Sequence, residues 1–131
     1  MVYLHSRIRF EAVSPRTFLF SAALVGLSFA SFENIVYLLN NPFIVTLRFV
    51  TAVPLHLAAT VLAAAALFTR HERSSAPLRT VFSFLAVIGL HGFYNLCMEL
   101  DGWLLPGALV CLLFLVVRAY YVWGQTPSEE I

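Results

Sequence analysis

Four long apolar blocks, separated by short polar segments, run along the chain. They predict helices at about 17–39, 45–68, 78–98 and 104–123, each close to the roughly 20 residues that cross a bilayer core. Continuously apolar blocks disfavour an outer-membrane barrel, whose strands alternate apolar and polar residues. Short connections favour an antiparallel up-and-down bundle. We therefore expect an all-α membrane protein in which residues 1–131 form a single transmembrane domain, with a flexible cytoplasmic tail at 124–131.

The composition supports a membrane location. Hydrophobic residues make up 60% of the 131 residues and charged residues only 11%, whereas soluble domains are about one-quarter charged. The net charge of +1 gives no indication of a nucleic-acid partner, and none is expected. The lipid bilayer is the expected environment.

The basic residues are distributed unevenly across the predicted topology. All of them are arginines, and only Arg48 falls on the side opposite to the rest. The others are Arg7, Arg9, Arg16, Arg70, Arg73, Arg79 and Arg118. By the positive-inside rule, this distribution predicts a multi-pass protein of the cytoplasmic membrane with both termini in the cytoplasm.

Polar residues interrupt the apolar blocks on faces that should point into the bundle. Small residues mark the helix faces that pack together in a membrane. Ala22, Gly26 and Ala30 recur every four residues, and Glu33 falls on the same stripe. His56 falls on the alanine-rich side of the second helix. We expect both side chains to face protein.

Glu33, His56 and His91 are also predicted to lie at a similar depth. Each is six to eight residues from the predicted outer end of its helix, about 9 to 12 Å at a rise of 1.5 Å per residue. Asn95 lies one turn from His91 on the same face, and Arg48 lies at the outer end of the second helix. The pattern predicts one polar cluster built from three helices.

The cluster is either a set of structural hydrogen bonds between helices or a functional site, and the energies of burial and of hydrogen bonding help to decide between the two. Interhelical hydrogen bonds are worth about 0.6 kcal/mol on average, whereas a carboxylate at mid-helix costs on the order of 3 kcal/mol on insertion scales. The comparison favours a functional site over structural hydrogen bonding alone.

Several chemistries suit such a site. In the first, Glu33, His56 and His91 hold a divalent metal such as zinc, or orient a water directly, while Asn95 or Arg48 stabilises an oxyanion. In the second, His56 and His91 are axial ligands of a b-type haem. A proton path is a further alternative.

Three segments in order resemble the signature of the PrsW-type intramembrane proteases, and they cover roughly residues 18–98. The segment "ALVGLSFASFENIVYLL" matches through Gly26, Phe32, Glu33, Asn34 and Tyr37. The segment "RFVTAVPLH" matches through Arg48, Pro54 and His56, and "HGFYN" matches through His91 and Asn95.

The resemblance implies a membrane-embedded endopeptidase related to the wider group that processes prenylated CAAX proteins, in which such side chains activate a water with or without a metal. It implies catalytic positions at Glu33, His56, His91 and Asn95, with Asn34 and Arg48 as substrate-binding or orienting neighbours. Where a metal takes part, Glu33, His56 and His91 would be its ligands. The implied substrate is a single-span membrane protein, such as an anti-sigma factor, that is cut near the outer membrane face.

The sequence departs from this family pattern in one respect. The family carries an earlier helix with paired glutamates, but the only adjacent acidic pair here is Glu129 and Glu130, in the tail. The alternatives are a longer chain, a further helix or subunit that supplies the pair, and a non-catalytic relative that binds a partner helix.

Overall fold

The structure, a computed structural model, describes residues 13–40, 42–72, 77–100 and 104–127. It contains four α-helices: α1 (Pro15–Asn40), α2 (Pro42–Glu72), α3 (Pro77–Glu99) and α4 (Leu105–Gln125). The described residues include no β-strand. All four helices are long and apolar enough to cross a membrane. The prediction of an all-α, multi-pass membrane protein is confirmed.

The helices extend beyond several of their predicted ends. Helix α2 begins at Pro42 instead of residue 45 and ends at Glu72 instead of residue 68. Proline is favoured in the first turn of a helix because its missing N–H has no partner there, and α1, α2 and α3 all begin with proline. Pro54 lies inside α2 without interrupting it.

The predicted tail also begins too early. Helix α4 continues to Gln125, so residues 124 and 125 are helical. Of the rest of the predicted tail, residues 126 and 127 are not helical, and residues 128–131 lie outside the described residues, as do Arg7, Arg9 and Arg73 of the charge prediction.

Helix α2 is the central element. It packs against α1, α3 and α4, while α3 also packs against α4. In its membrane-spanning part 44% of the residues are buried, against 17% or less in each of the other three helices. Small side chains allow close helix contact within a membrane. The buried alanines of α2 are Ala52, Ala58, Ala59 and Ala64.

Helices α1 and α2 run antiparallel. Glu33, late in α1, contacts Arg48, early in α2, whereas Leu19, early in α1, packs with Val61 and Ala64, late in α2. The main apolar core lies between α2, α3 and α4. Its members are Ala52, Leu55, Ala58, Tyr94, Cys97, Ala108, Cys111 and Leu115.

Gly26 allows α1 to approach α2 next to the polar cluster. A Cβ atom at this position would lie 2.6 Å from the carbonyl oxygen of His56 and would also collide with Oγ1 of Thr60. The glycine therefore fixes a short distance between the two helices at the turn of α2 that carries His56. Glu33 follows two turns further along α1 and is positioned by the same contact.

Candidate active site

Glu33 accepts two hydrogen bonds on one carboxylate oxygen. Nη2 of Arg48 lies 2.7 Å from Oε2 of Glu33, and Nε2 of His56 lies 2.8 Å from the same oxygen. Both partners lie on α2, because the antiparallel packing places the second half of α1 beside the first half of α2. The two hydrogen bonds join a carboxylate, a guanidinium and an imidazole in one group.

His91 brings α3 into this group. The imidazole rings of His56 and His91 have centroids 4.6 Å apart and are tilted by 59°. The side-chain amide of Asn95, one turn along α3, lies with Nδ2 3.2 Å from Nε2 of His91. The predicted convergence of Glu33, His56, His91 and Asn95 from three helices is therefore present in the structure.

The cluster is buried unevenly. The side chain of Arg48 is completely buried and that of Glu33 is 20% exposed, while His56 is buried and His91 is half-buried. Glu33 and His91 are therefore the more accessible members of the cluster. Phe29, 56% exposed, lies beside His56 with a centroid distance of 5.1 Å between the two rings.

Comparison with known families agrees with the resemblance that the three segments show. A sequence profile of the PrsW family of intramembrane metalloproteases matches residues 2–122. The chain belongs to this family. No curated protein and no solved structure matches it.

The family description implies a metal, and the residues of this PrsW family member fit one. One ligand atom each from Glu33, His56 and His91 lies within 4.8 Å of the others. Two imidazoles and one carboxylate form the protein ligand set of several catalytic zinc sites. The donor chemistry and the short separations are both suited to a divalent ion.

The haem alternative does not fit this arrangement. Axial histidines lie on opposite faces of a planar macrocycle, which would have to separate the two rings. The rings of His56 and His91 instead contact each other, with centroids 4.6 Å apart. A bis-histidine haem would require α2 and α3 to move apart.

Asn34 is close to the site in sequence but is not joined to it. It is buried on α1 with 7% exposure, and its amide oxygen and nitrogen have no hydrogen-bond partner within the described ranges. No hydrogen bond among the described residues supports an orienting role for Asn34.

Tyr37 and Glu99 belong to the surroundings of the site and were not predicted as site residues. The Arg48 guanidinium carbon lies 3.5 Å from the centroid of the Tyr37 ring, and the Tyr37 hydroxyl donates to Oε1 of Glu99 at 3.1 Å. The spacing of four residues between Glu33 and Tyr37 indicated that the tyrosine lies on the same helix face as Glu33. Nothing in the sequence near Glu99, at the end of an apolar block, indicated that it lies near the site.

Proposed function

We propose that the chain is an intramembrane peptidase that hydrolyses a peptide bond of a membrane-anchored protein at a site formed by Glu33, His56, His91 and Asn95. One observation carries this proposal. In a PrsW family chain, the ligand atoms of Glu33, His56 and His91 lie within 4.8 Å of one another among membrane-spanning helices. A partly buried set of proton acceptors and metal ligands is suited to the activation of water.

Glu33 is the proposed general base. Both hydrogen bonds that it receives from the described residues end on Oε2, so Oε1 has no protein donor among them. In hydrolysis, Oε1 takes a proton from water as the water oxygen attacks the peptide carbonyl carbon. The same proton then passes to the leaving nitrogen as the C–N bond breaks.

Glu33, through Oε2, together with His56 and His91 would hold a metal ion, which leaves Oε1 of Glu33 as the proton acceptor, and zinc is the ion that the ligand types favour. The chemistry that such an ion supplies when bound is activation of a water and polarisation of a carbonyl. In the structure, Nε2 of His56 is hydrogen-bonded to Glu33. The imidazole must be neutral and turned to the ion for ligation.

Asn95 has two proposed tasks. Its amide is hydrogen-bonded to His91, and such contacts fix the orientation of a ligating imidazole. Amide N–H groups also stabilise the oxyanion of the tetrahedral intermediate when they point towards it. Arg48, through its hydrogen bond to Oε2, holds the carboxylate of Glu33 in place.

The proposed substrate is a single-span membrane protein, such as an anti-sigma factor. A substrate held in the bilayer reaches the site by lateral diffusion. Phe29 offers an exposed apolar contact next to His56. The uneven burial of the site agrees with entry from the side of α1 and α3, because Glu33 and His91 are the ligands that keep exposure.

Cleavage of single-span reporter proteins in liposomes tests this function. We expect Glu33→Gln and His91→Ala to lower the rate by at least about 100-fold, the usual contribution of general acid–base catalysis. Asn40→Ala is the matched control, because Asn40 is exposed on the same helix as Glu33 and its side chain bonds, among the described residues, only to the Val36 carbonyl. Equal cleavage by the wild type and both site variants would contradict the proposal, as would no cleavage of any reporter.

Removal of metal tests the ligand assignment separately. A chelator should abolish cleavage by the wild type, and zinc should restore it. His56→Ala should bind zinc more than about 100-fold more weakly by calorimetry, because loss of a ligand costs more than the 10-fold to 100-fold loss caused by removing a partner that only orients a ligand. Unchanged zinc affinity in His56→Ala would show that the ion binds elsewhere.

A further inference from the structure

Arg48 is held in an unusual environment for a charged group. Its side chain is completely buried, yet the described residues offer only one hydrogen-bond acceptor, Oε2 of Glu33. Nε and Nη1 of Arg48 have no partner among them. A single hydrogen bond does not fix the orientation of a planar guanidinium, so another contact must do so.

The ring of Tyr37 provides this second contact. Its centroid lies 3.5 Å from Cζ of Arg48, well within the distance of about 6 Å at which a cation is attracted to an aromatic face. The attraction is strongest where both groups are desolvated. The ring contact therefore restrains the guanidinium in addition to its one hydrogen bond.

Glu99 restrains Tyr37 in turn. The tyrosine hydroxyl donates to Oε1 of Glu99 at 3.1 Å, which links the end of α1 to the end of α3. Glu99 is exposed, and exposed polar contacts contribute little free energy. The ring contact is consequently the stronger part of this arrangement and the hydroxyl contact the weaker part.

We propose that Tyr37 is a positioning residue that acts through Arg48 to hold Glu33 with Oε1 directed to the reactants. This inference rests on the proposed function, because it assigns a task to the carboxylate of that site. Tyr37 does not touch the reacting atoms. Tyr37 keeps Arg48, and hence Glu33, in a single orientation during every catalytic cycle.

Substitutions at Tyr37 distinguish the contribution of its ring from that of its hydroxyl group. Tyr37→Phe keeps the ring and should retain kcat within about threefold. Tyr37→Leu removes the ring and should lower kcat about 30-fold with KM within about twofold, because small errors in position affect chemistry more than binding. Tyr120→Leu is the matched control, since Tyr120 is 80% exposed on α4.

A double-mutant cycle tests whether Tyr37 acts through Arg48. In an Arg48→Met background, Tyr37→Leu should change kcat by less than about twofold, because the residue through which it acts is already absent. A merely structural role predicts that the losses from Arg48→Met and Tyr37→Leu multiply. Multiplicative losses, or equal loss of kcat in Tyr37→Phe and Tyr37→Leu, would overturn the proposal.

A second readout does not depend on cleavage. The wild type and the three variants of the cycle are titrated with Co²⁺, followed by visible absorption. Non-additive changes in Co²⁺ affinity support the positioning role even where no reporter is cut, and additive changes contradict it. A wild type that binds no Co²⁺ and cuts no reporter overturns the proposed function, and with it this inference.

Discussion

The ion pair between Arg48 and Glu33 ties stability to the chemistry of the site. Arg48 is completely buried, and removal of one partner from a buried pair leaves an uncompensated charge. We expect Glu33→Gln to lower the free energy of unfolding by about 3 kcal/mol, the low end of the range for broken buried pairs, because the Glu33 side chain is 20% exposed. Denaturant titration in detergent micelles measures this difference.

A compensating substitution separates charge from packing. The double variant Glu33→Gln/Arg48→Met removes both charges and keeps side chains of similar length, so it should regain most of the lost stability while remaining inactive. A double variant as unstable as Glu33→Gln would show that the loss comes from packing and not from the unpaired guanidinium.

At the scale of single residues, the sequence predicted which residues form the cluster but not which of them are hydrogen-bonded to each other. The four-residue period of small side chains correctly placed Glu33 on an inward stripe, and polar residues at one depth correctly indicated convergence. The hydrogen bonds depend on rotamers and on helix separation, which no periodicity encodes. For this reason the sequence predicted an orienting role for Asn34, which is adjacent to Glu33. Its side chain makes no hydrogen bond to the cluster.

At the scale of the helix, Gly26 determines how closely α1 packs on α2. We expect Gly26→Ala to lower the free energy of unfolding by about 2 kcal/mol, because the new methyl group would meet the backbone of α2 and overpacking costs about 1 to 3 kcal/mol. Cleavage should fall as well, since the displaced helix carries Glu33 away from His56. Thermal unfolding in detergent and the reporter assay provide the two measurements.

The control for this change is Gly89→Ala on α3. A Cβ atom at Gly89 would meet nothing within 4 Å, so the same chemical change is made in open space. It should leave cleavage unchanged and alter stability by no more than about 1 kcal/mol, the difference in helix propensity between the two residues. Equal effects of the two substitutions would show that the close approach at Gly26 does not matter.

The sequence predicted the number and approximate positions of the helices, but not which helices pack against each other. Apolar length alone indicated four spanning helices, because a bilayer fixes the required number of residues. It did not show that α1 packs mainly on α2, near α3 at one end through Tyr37 and Glu99 and near α4 at the other through Arg16 and Thr126. Such pairing follows from side-chain shape over whole helix faces.

At the scale of the molecule, the start of α1 and the end of α4 lie together. Nε of Arg16 donates to the carbonyl oxygen of Thr126 at 3.1 Å, and the Arg16 guanidinium carbon lies 5.9 Å from the centroid of the Trp123 ring. An aromatic residue beside an arginine is typical of a membrane interface. The positive-inside rule predicts that this interface is the cytoplasmic one, and therefore that the Glu33 site lies nearer the outer face.

Reporter fusions test this orientation. A green fluorescent protein joined after residue 131 should fluoresce in a bacterial host, because it folds in the cytoplasm, whereas an alkaline phosphatase at the same position should be inactive. Alkaline phosphatase joined after Asn40, at the other end of α1, should be active. The inverted pattern would place the site near the cytoplasmic face, and the substrate bond would then have to be sought on that side.

Replacing Arg16 and Arg118 with glutamine should weaken the preference for one orientation, since both arginines contribute to the charge difference that sets it.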